Sequence, residues 1–268
     1  MSTQHGRHRH VDTRPFVAPC RDLSPAEPLR WLALGWGDFR ATPRVSVVYG
    51  LFVFLASAAL GWLAWTLGGF VLLLSALSGF IFIAPLLAFA LYSVSRQLSE
   101  GREPSLRQSL SAMRRPLGNA AVLALILLVI FLVWARAGMM VHIFFPVDGQ
   151  PRFADIVTFL AVGSAVGAVF AGFTFASVVC ALPMLANRDV DVVTAVVSSI
   201  NAVLRNKFTM AIWAALIVVL TALALATALL GLIVVIPWLA YATWHGYRAT
   251  LDVSEWPTLD EFKGVRVN

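Results

Sequence analysis

The sequence predicts an all-α polytopic membrane protein: six transmembrane helices as three hairpins, each preceded by a short amphipathic interfacial helix. Three observations carry that prediction. Of 268 residues, 59% are hydrophobic and only 13% charged, with a mean hydropathy of +0.81, far from the composition of a water-soluble domain. Six apolar runs follow one another: Val45–Leu67, Phe70–Tyr92, Leu117–Ala137, Leu160–Ala186, Phe208–Ala226 and Leu229–Trp244. A hydrocarbon layer about 30 Å thick takes roughly 20 helical residues to cross, which most of these runs meet. With those spans drawn, Arg136 and Arg152 are the only Lys or Arg residues, of 20, left on one side. Basic loops resist translocation, so the crowded side, with both termini, is expected to be cytoplasmic.

Residues 1–23 carry His5, Arg7, His8, Arg9, His10, Pro15 and Pro19 and read as a disordered basic tail. A membrane domain over 24–248 and a polar cytoplasmic tail over 249–268 complete the division. Ser24-Pro25-Ala26-Glu27 has the form of a capping box with proline at the first helical position. Leu29, Leu32, Trp36 and Phe39 follow at helical spacing, giving a short amphipathic helix suited to the headgroup layer. Thr42-Pro43 ends it before the first span. The layout recurs: Ser105 and Gln108 suggest a second cap, with Leu106, Leu110 and Met113 as the stripe and Arg114-Arg115-Pro116 before the third span. Asp189 suggests a third cap, for a helix with Val193, Val196, Val197, Ile200, Val203 and Leu204 on its apolar face. The even-numbered spans share Pro85-Leu-Leu-Ala88, Pro183-Met-Leu-Ala186 and Pro237-Trp-Leu-Ala240, which points to three repeated units. Phe208 to Trp244 has no polar break, yet as one helix it would run about 55 Å. A tight turn near Thr227–Gly231 is therefore expected. Trp62, Trp65, Trp134, Trp238 and Trp244 fall near span ends, where interfacial belts form.

Chemistry-bearing patterns are scarce. No Asp, Glu, Lys or Arg sits in the middle of a span, which argues against an ion-coupled pump. Only His142 and His245 lie near spans, at opposite edges, too few for an intramembrane haem or copper centre. Cys20 and Cys180 support neither a disulfide nor a metal site, and no cofactor is expected. Gly163, Gly167 and Ala171 form a small-residue stripe suited to close helix packing. Pro85, Pro183 and Pro237 are candidate kinks. Trp244, His245, Tyr247 and Arg248 form a speculative interfacial site at the end of the last span. Ser57, Ser75, Ser78, Ser164, Thr174 and Ser177 supply scattered small polar groups.

The stretches Pro28-Leu-Arg-Trp-Leu-Ala-Leu-Gly-Trp-Gly-Asp-Phe-Arg40, Val48-Tyr-Gly-Leu51 and Gly231-Leu-Ile-Val-Val-Ile-Pro-Trp-Leu-Ala-Tyr-Ala-Thr-Trp-His-Gly-Tyr-Arg248 resemble a family of bacterial integral membrane proteins, domain of unknown function 2189. The resemblance runs from about residue 25 to 250. It implies a six-span protein of the bacterial cell inner membrane and brings no established activity. The net charge of +6 sits in loops and tails beside the spans, which favours anionic inner-leaflet lipid over nucleic acid. The expected function is non-enzymatic: membrane organisation, or binding of lipid, of a membrane-protein partner or of a second copy. The alternative is a transporter or channel for a neutral or amphiphilic solute.

Overall fold

A computed structural model describes residues 15–104, 117–144 and 153–258. The regular elements are helices α1 (Glu27–Ala41), α2 (Pro43–Ser99), α3 (Leu117–Phe144), α4 (Phe153–Val178), α5 (Ala181–Asn187), α6 (Val192–Arg205), α7 (Lys207–Ala226) and α8 (Leu232–Thr250). Among the described residues, four segments are long and apolar enough to cross a membrane: Pro43–Gly69, Gly118–Ala137, Ala161–Asn187 and Lys207–Ala226. The expected all-helical character is thus seen, with four candidate spans among the described residues where six spans in three hairpins were expected.

α2 contains the first hairpin. At Gly69 the backbone takes φ 58°, ψ −144°, a conformation open to glycine but not to residues with a Cβ. The chain reverses there. An added Cβ at Gly61 would lie 3.7 Å from Leu73 Cδ1, and the Tyr49 hydroxyl donates to the Leu87 carbonyl, so the limbs run antiparallel. At the far end of the chain, turn residues 227–231 separate α7 from α8, where the unbroken apolar run required a turn.

α8 is the spine of the molecule. α1 and the first limb of α2 run antiparallel along it, one after the other. A Cβ on Gly35 would stand 2.5 Å from the Ala242 nitrogen, and one on Gly50 would overlap the Ile233 carbonyl oxygen and stand 2.7 Å from its carbon. Pro237 explains the second contact. Lacking an N–H, it cannot bond the carbonyl four residues earlier, which is that of Ile233, and Gly50 lies against this freed oxygen. Pro183 acts similarly: with no N–H for the Val179 carbonyl, the long apolar helix breaks into α4 and α5 at Val179–Cys180. Pro85 stays inside α2.

The most fully buried side chains gather at the end of the bundle carrying both described chain ends. Most come from α1, residues 88–97, α5, α6, the first turns of α7 and residues 236–256, with Leu123 and Leu127 of α3 also buried and Val53, Ala224 and Leu232 buried near the α7–α8 turn. Over their most apolar stretches the four segments have only 17–39% of their residues buried, and their exposed side chains are mainly Leu, Val, Ile and Phe. Helices solvated by lipid leave such surfaces open, because acyl chains are as apolar as the side chains.

Several local expectations need correction. α1 starts at Glu27 after Ala26, with no side-chain cap; Ser24 instead accepts the Glu27 N–H on its backbone carbonyl at 3.1 Å. Its buried face is Pro28, Trp31, Leu32, Gly35 and Phe39, while Leu29 is 61% exposed. α6 is capped by Asp191, which accepts from Thr194 N at 2.9 Å, and not by Asp189. Partial burial pushes the Asp191 carboxyl up, but the hydrogen bonds it accepts from Thr194 and Val193 outweigh this and hold it below the usual value. The apolar face expected of α6 points away from the interior, which is lined by its smaller residues. Val192, Thr194, Ala195, Ser198, Ser199 and Ala202 are buried, while Val193 and Leu204 are exposed and Val196, Val197, Ile200 and Val203 half-buried. Residues 15–23 and 251–258, expected as solvated tails, are part of the cap. Trp238 and Trp244 are not belt residues: Trp238 donates to the Leu32 carbonyl at 2.8 Å and Trp244 is buried. Trp62 and Trp65 are exposed as a belt requires. The second proposed cap, Ser105–Gln108, and Arg114-Arg115 lie outside the described residues.

Candidate functional site

The cap holds the polar chemistry of the described chain. At its centre Asp38, Ser95 and His245 converge from α1, the second limb of α2 and α8. The Ser95 hydroxyl donates to Asp38 Oδ2 at 2.7 Å, and His245 Nε2 lies 3.0 Å from the same oxygen. The order matters chemically. In a nucleophilic triad the histidine stands between the hydroxyl and the carboxylate to take the proton. Here the carboxylate is central and accepts from both sides, which suits joining three helices. Asp38→Ala would strand two polar groups and is expected to cost about 2 kcal/mol, whereas Ser95→Ala removes one bond and costs about 1 kcal/mol. Unfolding midpoints of the two variants in detergent would read that order.

One turn along, Tyr241 of α8 shares a hydroxyl cluster with Ser46 at 2.9 Å and Thr42 at 3.4 Å. Thr42 and Ser46 also donate back to the carbonyls of Asp38 and Thr42, so the α1–α2 joint satisfies its own broken helical bonds.

A second polar centre is Asn206, at the corner between α6 and α7. Its Oδ1 accepts from Leu23 N at 2.9 Å, and its Nδ2 donates to the Arg21 carbonyl at 3.1 Å and to Cys20 Sγ at 3.2 Å. Ser198 accepts from Ala18 N at 2.9 Å. These bonds hold residues 18–23 as a strap across the corner. The strap in turn meets the end of α8 and the residue that follows it by two: Arg21 N donates to the Thr250 carbonyl and Asp252 N to the Pro19 carbonyl, each at 2.9 Å. Arg188 donates to the Trp256 carbonyl at 2.7 Å, closing the cap. Partial burial pushes the Cys20 thiol up, with Arg205 and Asn206 opposing it.

The residues singled out from sequence do not form one site. Trp244 and Tyr247 face the interior, and the Tyr247 hydroxyl accepts from Asn187 at 2.9 Å. His245 turns to Asp38, and Arg248 is exposed. Gly163 would meet nothing within 4 Å if it carried a Cβ, and Gly167 would only reach Trp134 Nε1 at 4.0 Å; Ala171 is half-buried. Ser164 is exposed, Ser57 half-buried, and Ser177 turns back to the Phe173 carbonyl at 2.8 Å. Thr174 is buried with no hydrogen-bond partner for its hydroxyl among the described residues. The side chains of Ser75 and Ser78 lie outside the described residues. Among the described residues no three His, Cys, Asp or Glu side chains converge as a metal group. The Asp38–Ser95 partnership and the Asn206 hub carried no sequence signal, since both join residues distant along the chain.

One feature repeats. Where a short helix meets a candidate span, basic residues flank the joint: Arg40 and Arg44 about Thr42-Pro43, and Arg205 and Lys207 about Asn206. All four are exposed. Arg40 lies 5.5 Å above the Trp36 ring, and none of the four is in an ion pair among the described residues.

Residues 71–187 match the family described as a predicted integral membrane protein, DUF2189. The match lies between the three stretches that carry the resemblance in sequence and includes none of them. No curated protein and no solved structure matches the chain.

Proposed function

We propose that this chain, which carries the DUF2189 segment of an integral membrane protein family, is a non-enzymatic inner-membrane protein that organises anionic lipid around its cytoplasmic cap. The observation that supports the reading most directly is the pair of basic corners. Arg40 with Arg44, and Arg205 with Lys207, stand exposed where apolar helices emerge from the cap. Phosphate groups of inner-leaflet lipid meet the chain at the Arg40–Arg44 corner, and Arg205 with Lys207 adds positive charge on the cytoplasmic side of it. The outward Val193 and Leu204 of α6 extend apolar surface beside the second corner, as an interfacial helix requires. On this reading the cap and both chain ends are cytoplasmic.

Each basic residue near an anionic surface contributes about 1 kcal/mol. Purified protein in mixed-lipid nanodiscs is expected to retain phosphatidylglycerol over phosphatidylcholine, as read by native mass spectrometry. Changing Arg40, Arg44, Arg205 and Lys207 together to glutamine should remove most of that preference. Equal retention of the two lipids by the unaltered protein would end this reading.

A further inference from the structure

We infer that α7 and α8 form a re-entrant hairpin, whose tip at Thr227–Gly231 ends inside the hydrocarbon layer and is solvated by lipid acyl chains.

The register of α8 against α2 carries the inference. Gly50 lies beside Ile233, and Val53 packs in one cluster with Ala224, Leu232 and Ile236. The tip of the α7–α8 hairpin is therefore level with about residue 53 of α2. Above that level the first limb of α2 continues to its own reversal at Gly69, another fifteen residues, or about 22 Å of helix. A tilt of 40°, the upper end for membrane helices, still leaves about 17 Å. The two hairpins cannot both end at the outer surface.

One of two apolar surfaces must then lie outside the hydrocarbon. If the tip were at the outer surface, Leu55, Leu60, Leu63 and Leu67, all 46–72% exposed, would stand in water above it with an uncharged return limb. If the α2 hairpin spans, about the first three turns of α7, with exposed Phe208 and Ile212, lie at or below the headgroups. Those turns carry Asn206, Lys207 and Thr209 and are braced by the strap and by Trp31 of α1, whose ring meets Trp213 edge-on at 5.7 Å. The second arrangement leaves less apolar surface in water, two exposed side chains of α7 against six of the first limb of α2. It also puts exposed Trp62 and Trp65 at the outer interface. Val53 is nine residues above Arg44, so the tip stands about 14 Å above that basic corner, near the middle of a layer about 30 Å thick.

The tip is built for that depth. Irregular backbone in hydrocarbon must satisfy its own polar groups. Leu229, Leu230 and Leu232 donate to the carbonyls of Leu225, Thr227 and Leu229 at 3.4, 3.2 and 2.9 Å. Gly231 donates to the Thr227 hydroxyl at 2.8 Å, which itself donates to the Ala224 carbonyl at 2.8 Å. The remaining tip side chains are Ala228, Leu229 and Leu230. A turn facing water commonly carries Asn, Asp or Pro; this one has none.

This inference rests on the chain residing in a bilayer, not on its headgroup preference, so loss of phosphatidylglycerol selectivity would leave it standing. The test uses the full chain with Cys20→Ser and with buried Cys180 retained as background. Leu230→Cys, at a site 56% exposed in the protein, is compared with Thr66→Cys near the α2 reversal and with Ser254→Cys in the cap. In sealed vesicles of either orientation, an impermeant maleimide should modify Thr66→Cys from one side and Ser254→Cys from the other. Leu230→Cys should react at least about tenfold more slowly from both sides. Bimane at that cysteine should be quenched best by lipids brominated near the acyl-chain ends and least by aqueous iodide. Rapid labelling from the side that reaches Thr66→Cys, or strong iodide quenching, would overturn the inference. The bimane measurement decides even if the labelling rates are affected by local folding.

Discussion

Gly50→Ala is expected to destabilise the protein by about 3 kcal/mol, the upper part of the usual range for forcing atoms into a filled contact. The added methyl would overlap the Ile233 carbonyl and come within 2.8 Å of the Ile233 Cα. Backbone lies on both sides of the contact, so neither helix can relieve the overlap by a rotamer change. Separation of α2 from α8 would also remove Val53 from its cluster with Ala224, Leu232 and Ile236. The informative control is Gly163→Ala. With nothing within 4 Å of the new methyl, it should be neutral or stabilising by about 0.5–1 kcal/mol, the ordinary gain for replacing a mid-helix glycine. Both values can be read as shifts in unfolding midpoint when dodecyl sulfate is titrated into mixed micelles. A Gly163 variant less stable than the Gly50 variant would mean that α4 makes the tighter helix contact.

Asn206→Ala is expected to cost about 3 kcal/mol, because it leaves the Leu23 N–H and the Arg21 carbonyl without their partner in a partly buried place. The readout is local as well as global: trypsin should cut after Arg21 faster in the variant, as the strap separates from the α6–α7 corner. Asn206→Asp separates the contributions. A carboxylate still accepts from Leu23 N, but it sets oxygen against the Arg21 carbonyl where the amide donated at 3.1 Å. Its stability should fall with that of the alanine variant, not sit near the parent. If proteolysis at Arg21 were unchanged in both variants, Asn206 would not be what holds the strap.

Much of the fold was legible because hydropathy reports length and continuity well. The apolar runs beginning at Val45 and Phe208 match helices suited to crossing a membrane, and the turn required by the unbroken run after Phe208 falls at Thr227–Gly231. The direction in which each helix faces was much less legible. In water an apolar stripe must turn inward. In a bilayer lipid competes for it, and protein contacts go to whatever allows close approach. That is why α6 buries Ser198, Ser199 and Ala202 while Val193 and Leu204 face out. The glycines in tight contact were hidden for a related reason. The spacing of Gly163 and Gly167 is visible in one helix, whereas Gly35 and Gly50 meet α8 through residues some two hundred positions away. The cap eluded the sequence because residues 18–23 and 251–256 are ordered by backbone bonds and by Asn206, not by periodicity. Even Pro237, readily seen as a kink, gains its meaning only from the glycine opposite its freed carbonyl.

The strap has a consequence for how the protein is made. Ala18 must find Ser198 and Leu23 must find Asn206, partners 180 and 183 residues further along the chain. At a synthesis rate of about 5–20 residues per second, these early residues wait roughly ten to forty seconds for their partners. The wait is longer still for Pro19, whose partner is Asp252. The apolar helices can enter the bilayer one after another during that interval, but the cap cannot close until residues 251–256 have left the ribosome. Closing of the cap is therefore a late event, in which residues 18–23 meet residues 250–252. A chain halted before that point would leave residues 18–23 without the partners that the Thr250 carbonyl and Asp252 supply.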